Sequence, residues 1–390
     1  PAKIQVIRHI RCKYACKSCE GVESDAPTVR IAPVPPQLIP KSIATEGLLA
    51  YVVTAKFEDA LPLYRQTRIF DRLGIELSRS TLAGWMVRLG ECCEPLMDLL
   101  KQEIRSGPLI GIDETTLQVL KEPGRANTET SYMWVFRGGP PDRPILIYVY
   151  HPSRSGQVPM EVLADYRGFI QTDGYSGYDA LGRRAGICHV GCFAHARRMF
   201  VKVVNARKEK KKSKDGNAEK ALEFIRKLYV LEKKAKKDAL DPDQLYRLRQ
   251  QEAKPILDAF KAWLDSRSAM TPPQGLLGKA ISYTLNQWNR LVRYIESGHL
   301  PIDNNLVENA IRPFVVGRKN WLFSGAPSGA KASAALYSLI ETAKAAGLKP
   351  YAYLRYLFEM LPTLDSEEGY RKLLPHYVDR EALAAMTSSV

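Results

Sequence analysis

The spacing of apolar positions along this chain changes period twice. From Ser42 to about Ile104 they recur at helical intervals. Leu61, Tyr64 and Ile69 fit one helix, and Leu73-Gly74-Ile75 supplies a turn. Ser78 or Ser80 then caps a second helix carrying Leu82, Trp85, Met86 and Leu89. At Pro108 the pattern becomes extended. Strands are predicted at Leu109 to Val119, Ser131 to Phe136, Pro144 to Tyr150, and Phe169 to Asp173, the last stopping at Gly174. Gly138-Gly139-Pro140-Pro141 forms the loop between the second and third, and a short helix over Met160 to Tyr166 precedes the fourth. Helical spacing returns after His195 and runs through Ala218 to Arg293, with Leu222, Ile225, Leu228, Leu231, Ile256, Leu257, Phe260, Trp263 and Leu264 on its apolar faces. A helix begins at Asn304 or Asn305, both good N-caps, and Pro313 ends it near Arg312. Further helices cover Ala332 to Ala346 and Pro350 to Leu361, and the residues after Pro375 read as a tail.

Three strands followed by helix, strand and helix is the order of a ribonuclease-H-like α/β domain. The organisation expected is therefore a segment at 1–25, a linker and helical domain at 26–107, the first part of an α/β domain at 108–204, a helical insertion at 205–300, its second part at 301–346, and a helical tail at 347–390. Ala26 to Pro40 is proline-rich and reads as an extended linker. The helix, glycine-containing turn and helix that follow fit a helix-turn-helix, which would set Arg79 at the start of a groove-reading helix; an ordinary helical hairpin fits equally. Cys92 and Cys93 read as buried helix residues.

Length and charge narrow the class. A chain of 390 residues exceeds one small core. Its 57 Lys and Arg against 42 Asp and Glu leave a net charge of +15, which suggests a polyanionic partner, nucleic acid before an anionic membrane surface. No apolar run approaches the length of a membrane span, and no signal-like stretch opens the chain, so a cytoplasmic, nucleoid-associated protein is expected. The run Arg207-Lys208-Glu209-Lys210-Lys211-Lys212-Ser213-Lys214 reads as a solvated connector.

Three acids carry the candidate chemistry. Asp113 lies inside a strand expected to be central, where an unpaired carboxylate costs several kcal/mol. Asp173 closes the fourth strand. In a ribonuclease-H-like sheet those two strands are neighbours, so the acids meet, repel, and call for a divalent cation. Glu308, on a helix with Arg312 four residues on, is the candidate third ligand. Two Mg²⁺ or Mn²⁺ ions so held would activate an attacking oxygen and stabilise a leaving oxygen of a phosphodiester. Arg312, Arg318 and Lys319 are candidate phosphate contacts, and Trp321 either stacks on an unpaired base or packs in the core.

Two cysteine clusters remain. Cys16 and Cys19 form a single C-x-x-C pair, with Cys12 and His9 nearby. A zinc ribbon commonly needs two pairs, so this is a partial Zn²⁺ knuckle, either completed by Cys12 or His9 or by residues upstream of Pro1, or else a set of unliganded thiols. His189, Cys192 and His195 form H-x-x-C-x-x-H, with Cys188 beside them; a helix would splay these positions and disfavour zinc.

Five motifs in order carry a resemblance. They are Gly111-Ile112-Asp113-Glu114-Thr115; Gln171-Thr172-Asp173-Gly174-Tyr175; Gly191-Cys192-Phe193-Ala194-His195-Ala196-Arg197-Arg198; Asn304-Asn305-Leu306-Val307-Glu308-Asn309-Ala310-Ile311-Arg312-Pro313; and Gly317-Arg318-Lys319-Asn320-Trp321-Leu322-Phe323. Together they resemble the DDE transposases of the bacterial insertion-sequence-66 family, over nearly the whole chain. The resemblance implies that Asp113, Asp173 and Glu308 are the acid triad of a ribonuclease-H-like fold with a helical insertion before the last acid. It implies a C-x-x-H feature, Cys192 and His195, beside the catalytic sheet, with His195 able to orient Asp173 or a water. It further implies Mg²⁺-dependent DNA cleavage and strand transfer at the inverted-repeat ends of an insertion sequence, on paired ends by a homodimer or larger assembly, alongside small accessory proteins. The missing first C-x-x-C pair departs from the family pattern. A catalytically silent DNA-binding derivative is the alternative; a glycosidase fits the acids but not the charge.

Overall fold

A computed structural model of the chain describes residues 4–15, 29–209 and 216–388. The charged run from residue 210 and the Cys16–Cys19 pair lie outside the described residues. At the N-terminus, β1 (Lys13–Ala15) and β2 (Val29–Ile31) form an exposed antiparallel ribbon. Four helices follow: α1 (Glu46–Phe57), α2 (Leu63–Arg72), α3 (Arg79–Cys92) and α4 (Glu94–Ile104). Thr45 caps α1 and Ser78 caps α3, each accepting a backbone N–H from the first turn. Gly74 takes φ +75° in the turn between α2 and α3, a conformation glycine adopts without strain.

The sheet begins with β3 (Leu109–Val119), β4 (Thr130–Gly138) and β5 (Ile145–His151), an antiparallel meander. After α5 (Gln157–Val162) come β6 (Gly168–Gln171), the short α6 (Asp179–Gly182) and β7 (Ile187–Val190). The strand order is β5-β4-β3-β6-β7, with β6 parallel to both β3 and β7. β3 is thus central, and its pairing to β6 aligns Gly111 with Gln171. Three details depart from the sequence expectations. α5 starts before Met160, at Gln157. β6 stops at Gln171, because Asp173 turns the chain by accepting the Tyr175 N–H at 2.9 Å. The spacing does not predict β7, whose four residues Ile187–Val190 carry Cys188 and His189 at their centre and so lack the apolar run that marks β6.

α7 (Phe193–Glu209) leads into α8 (Asn217–Lys237), α9 (Pro242–Leu248), α10 (Lys254–Ser268), α11 (Leu276–Asn286) and α12 (Trp288–Leu291). Val190, Phe193, Phe200, Ile225, Phe260, Trp263 and Ile281 belong to the hydrophobic cluster of this region. Within it Arg249 is buried, donating to Glu232 at 2.7 Å and to the carbonyls of Tyr294 and Ser297, so its charge is paired and its donors are used.

The chain returns to the sheet through α13 (Asn305–Trp321), β8 (Phe323–Ser324), which pairs with the end of β3, and α14 (Pro327–Ala345). α15 (Pro350–Met360), α16 (Glu367–Lys372) and α17 (Arg380–Ser388) complete it. The expected tail after Pro375 is instead packed: Val378 and Leu383 join the larger cluster, which also holds α1, α3, α4, the sheet, α14 and α15. α14 is buried on nearly every face between β5 and α3. At Gly90 a Cβ would stand 2.7 Å from the Cα and Cβ of Ala332, so α3 and α14 touch backbone to backbone. Gly90→Ala is expected to destabilise the protein by about 1–3 kcal/mol, since rigid helices and not a flexible side chain must move. Urea denaturation measures this, and an unchanged midpoint would show the contact to be loose.

Candidate active site

α13 does not end at Pro313. It runs 17 residues with the proline inside it. The proline forfeits one i→i−4 hydrogen bond, a defect of about 3 kcal/mol in an isolated helix. Here Val307, Ala310, Ile311 and Phe314 bury one face, and the Tyr148 hydroxyl donates to the Ala310 carbonyl. Both ends are fastened to β3. Asn304 Nδ2 donates to the Ile112 carbonyl at 3.1 Å, and Arg318 donates to Thr115 Oγ1 at 3.0 Å and to the Thr116 carbonyl. A Cβ at Gly111 would come within 3.1 Å of Asn304 Oδ1 and 3.4 Å of Val307, so the glycine lets the helix lie close along the strand. Asn304 occupies the N-cap position without a side-chain cap. Asp303 does that work, accepting the Asn305 N–H at 3.1 Å while Tyr229 donates to its other oxygen at 2.7 Å.

This bracing sets Glu308 near enough for its charge to act on Asp113, as that of Asp173 does, although among the described residues the ligand atoms of the three acids do not all lie within 4.8 Å of one another. Burial pushes the Asp113 carboxyl up to about 7, and the charges of Glu114, Asp173 and Glu308 add to the rise. One oxygen of Asp113 accepts the Glu114 N–H at 2.9 Å, and one of Asp173 accepts the Tyr175 N–H. Among the described residues the second oxygen of each has no hydrogen-bond donor. Glu308 Oε2 takes Arg198 at 3.4 Å, while its Oε1 is buried and without a hydrogen bond. The Glu308 side chain is 26% exposed, so the cluster is open to a substrate from solvent. Three carboxylate oxygens with no proton donor, drawn from three segments, suit a hard divalent cation that keeps further positions for water and phosphate.

Glu114 faces a different environment. Arg154 Nε donates to it at 2.6 Å, and the buried Tyr178 hydroxyl donates to its other oxygen. The Arg154 guanidinium stacks 3.7 Å from the Tyr175 ring centroid. This network was not foreseen, although adjacent acids on one strand necessarily point to opposite faces and need different partners.

His195 Nδ1 lies 3.5 Å from Glu308 Oε1, but the pair does not meet hydrogen-bond geometry. Burial and the neighbouring Arg198 lower the His195 pKa, against the pull of Glu308, Asp173 and Asp303. Cys192 is buried and accepts the Asn304 N–H at 3.2 Å; burial pushes its thiol up to about 11. The four-residue cluster around H-x-x-C-x-x-H does not converge. His189 pairs through Nε2 with Thr172 Oγ1 at 2.8 Å, and Cys188 takes Arg293 at 3.1 Å. Cys192 and His195 converge on Glu308 instead.

The basic candidates are dispersed. Arg312 and Lys319 are exposed on α13, whereas Arg318 is committed to β3. Trp321 lies 13 residues beyond Glu308, about 20 Å along the helix. Its ring packs edge-on against Phe314 with centroids 5.4 Å apart, and Lys56 Nζ sits 5.3 Å over it. Arg79 is exposed at the first turn of α3. A groove of about 690 Å³ is lined by Arg197, Arg198 and Arg226 together with Glu219 and Glu223, Arg226 being paired to Glu223 at 2.6 Å, which leaves Arg197 and Arg198 as its basic wall. Arg197 and Arg198 were seen in the sequence only as helix residues; their place on the turns after His195 was the available signal.

The molecule is therefore a mixed α/β protein whose central strand β3 carries Asp113. A family model described as "Transposase IS66 family" matches residues 41–332, and one described as "IS66 C-terminal element" matches residues 338–376. The chain belongs to the IS66 transposase family. Three relatives from Sinorhizobium fredii bear the name uncharacterized protein. The one designated y4jD is 35% identical over 374 residues, covering 93% of this chain and 70% of its own length. Those designated y4qI and y4hP are 33% and 29% identical over 371 residues, covering 91% of this chain and 65% of theirs. The chain thus spans only part of the length of these relatives. Among the described residues no helix is long and apolar enough to cross a membrane.

Proposed function

We propose that this chain is a DDE transposase that cleaves DNA at insertion-sequence ends and joins the freed 3′-hydroxyl to target DNA. Membership of the IS66 transposase family supports the substrate class. The observation that supports the chemistry is the Asp113 carboxyl, held up to about 7 by burial first and then by the charges of Glu114, Asp173 and Glu308. Three antiparallel strands followed by two parallel ones, with β3 central, support a ribonuclease-H-like catalytic domain.

In this reading Asp113 and Asp173 bind a pair of Mg²⁺ or Mn²⁺ ions from the sheet, and Glu308 binds them from α13. When bound, the ions supply Lewis-acid charge to the attacking and leaving oxygens of the phosphodiester. Asn304 and Arg318 position Glu308 by fixing α13 to β3. Arg197 and Arg198 hold phosphates along the groove, and Arg312 and Lys319 extend that surface. Arg198 also holds Glu308 Oε2 at 3.4 Å, while Oε1 lies 3.5 Å from His195 Nδ1.

The test is nicking and strand transfer on DNA carrying element ends, with Mg²⁺ or with EDTA. Product that requires the cation supports the reading. DNA bound but never nicked would leave a silent DNA-binding derivative in its place. Binding is expected to weaken by about a thousandfold or more between roughly 50 and 200 mM salt if six or more phosphates are neutralised. A salt titration of filter binding measures the slope, and a flat response would remove DNA as the partner of this +15 chain.

A further inference from the structure

Glu308 faces two sets of donors. One is the aspartate pair; the other is Cys192 and His195. One ligand atom from each of Cys192, His195 and Glu308 lies within 4.8 Å of the others. The His195 Nδ1 to Glu308 Oε1 distance is 3.5 Å, and both atoms are buried without a hydrogen-bond partner. Two buried polar atoms facing each other without a shared proton are unsatisfied unless something lies between them. A tetrahedral zinc with ordinary Zn–N, Zn–O and Zn–S bonds sets its ligand atoms about 3.3–3.6 Å apart, which the histidine–glutamate pair already meets.

The three residues are held by different elements. Cys192 ends the loop after β7, His195 sits in the first turn of α7, and Glu308 in the first turn of α13. The Asn304 N–H at Cys192 Sγ ties the two helix starts together. The donor set is sulfur, nitrogen and one oxygen, which selects a soft or borderline ion over Mg²⁺.

We infer that Cys192, His195 and Glu308 form a second cation site, specific for Zn²⁺-like ions, that shares Glu308 with the acid triad. Binding exchanges the thiol proton for the metal and releases that proton to solvent. Three protein ligands leave a fourth position for water. Because one carboxylate cannot serve both sites fully, Zn²⁺ at this site withdraws Glu308 from the aspartates and inhibits the Mg²⁺-dependent reaction. The inhibition rests on the proposed transposase reading; the binding site does not.

Cobalt titration of the full chain carrying Cys12→Ser, Cys16→Ser and Cys19→Ser tests the site without signal from the N-terminal thiols. One equivalent of Co²⁺ should give a thiolate charge-transfer band and tetrahedral visible absorption. Cys192→Ser should abolish the charge-transfer band, His195→Ala should weaken Co²⁺ binding by about tenfold or more, and Cys188→Ser should leave both unchanged. Absence of the band, or its survival in Cys192→Ser with an unaltered circular dichroism spectrum, would overturn the site. In nicking assays, Zn²⁺ inhibition should be relieved by excess Mg²⁺ and should need about tenfold more Zn²⁺ in Cys192→Ser. Equal Zn²⁺ sensitivity in that variant would overturn the sharing of Glu308. A cobalt band in a protein that nicks DNA with no divalent ion would support the site while removing the proposed reaction.

Discussion

Replacing Asp113 or Asp173 by Asn, or Glu308 by Gln, is expected to lower nicking and strand transfer by about a thousandfold or more. Each substitution keeps side-chain shape and removes one anionic ligand. Loss of a few kcal/mol of charge stabilisation at the phosphodiester accounts for that factor, since each ~1.4 kcal/mol is tenfold in rate. Binding to element-end DNA should hold or tighten slightly, because a negative charge has left a surface that meets phosphates. Paired nicking and mobility-shift assays on the same preparations separate the two effects. Parallel loss of cleavage and binding in all three variants would place the acids in the fold or the DNA interface and not in the reaction. Glu308→Gln carries the sharpest version of the test. Its Oε1 makes no hydrogen bond, and its Oε2 meets only the half-exposed Arg198 at 3.4 Å, a pair worth under about 1 kcal/mol, so the substitution should cost little stability while removing activity.

The strands of the sheet could be read from the chain because β3, β4 and β5 are long and apolar enough to show themselves. The bounds expected for β3, Leu109 to Val119, are those observed. β7 is not legible in the same way, since two of the four residues of Ile187–Val190 are Cys188 and His189, whose types point to ligands and not to a strand. α13 was cut short because a proline rule describes an isolated helix, whereas tertiary contacts at Phe314, Tyr148 and Arg318 carry this one through Pro313. The site followed the same division. Asp113 stands out as an acid inside an apolar strand, Asp173 as one closing a predicted strand, and Glu308 as one opening a helix. Asp303 and Asn304 did not, since capping and strand anchoring depend on which backbone groups lie opposite. The pairing of Cys192 and His195 with Glu308 rather than with His189 depends on β7 turning His189 toward Thr172.

The metal-free protein should lose stability as pH rises, and Asp113→Asn should not share the loss. An unfolded aspartate titrates near ~3.9, whereas the folded Asp113 carboxyl is held up to about 7 by burial and then by its acidic neighbours. Between those values the folded state keeps a proton that the unfolded state has released. Stability therefore falls across this window and stays low above it. The gap sets an upper bound of about 4 kcal/mol, and relaxation and water around the partly exposed side chain should reduce it to roughly 1–3 kcal/mol. Urea denaturation in EDTA at pH 5 and pH 8 measures the effect as a difference between wild type and Asp113→Asn, so that other titrating groups largely cancel. The margin of the variant over wild type should be small near pH 5, about a third of its full size, and should reach that size at pH 8. Mn²⁺ at pH 8 should then raise the wild type and leave the variant nearly unmoved, because the cation replaces the proton as the partner of the carboxylate. If the two proteins respond identically to pH, Asp113 ionises without penalty, and the repulsion that argues for a cation is absent. A protein that folds more stably with its acid neutralised, and turns over only with it charged, is what a site built to hold cations between like charges requires.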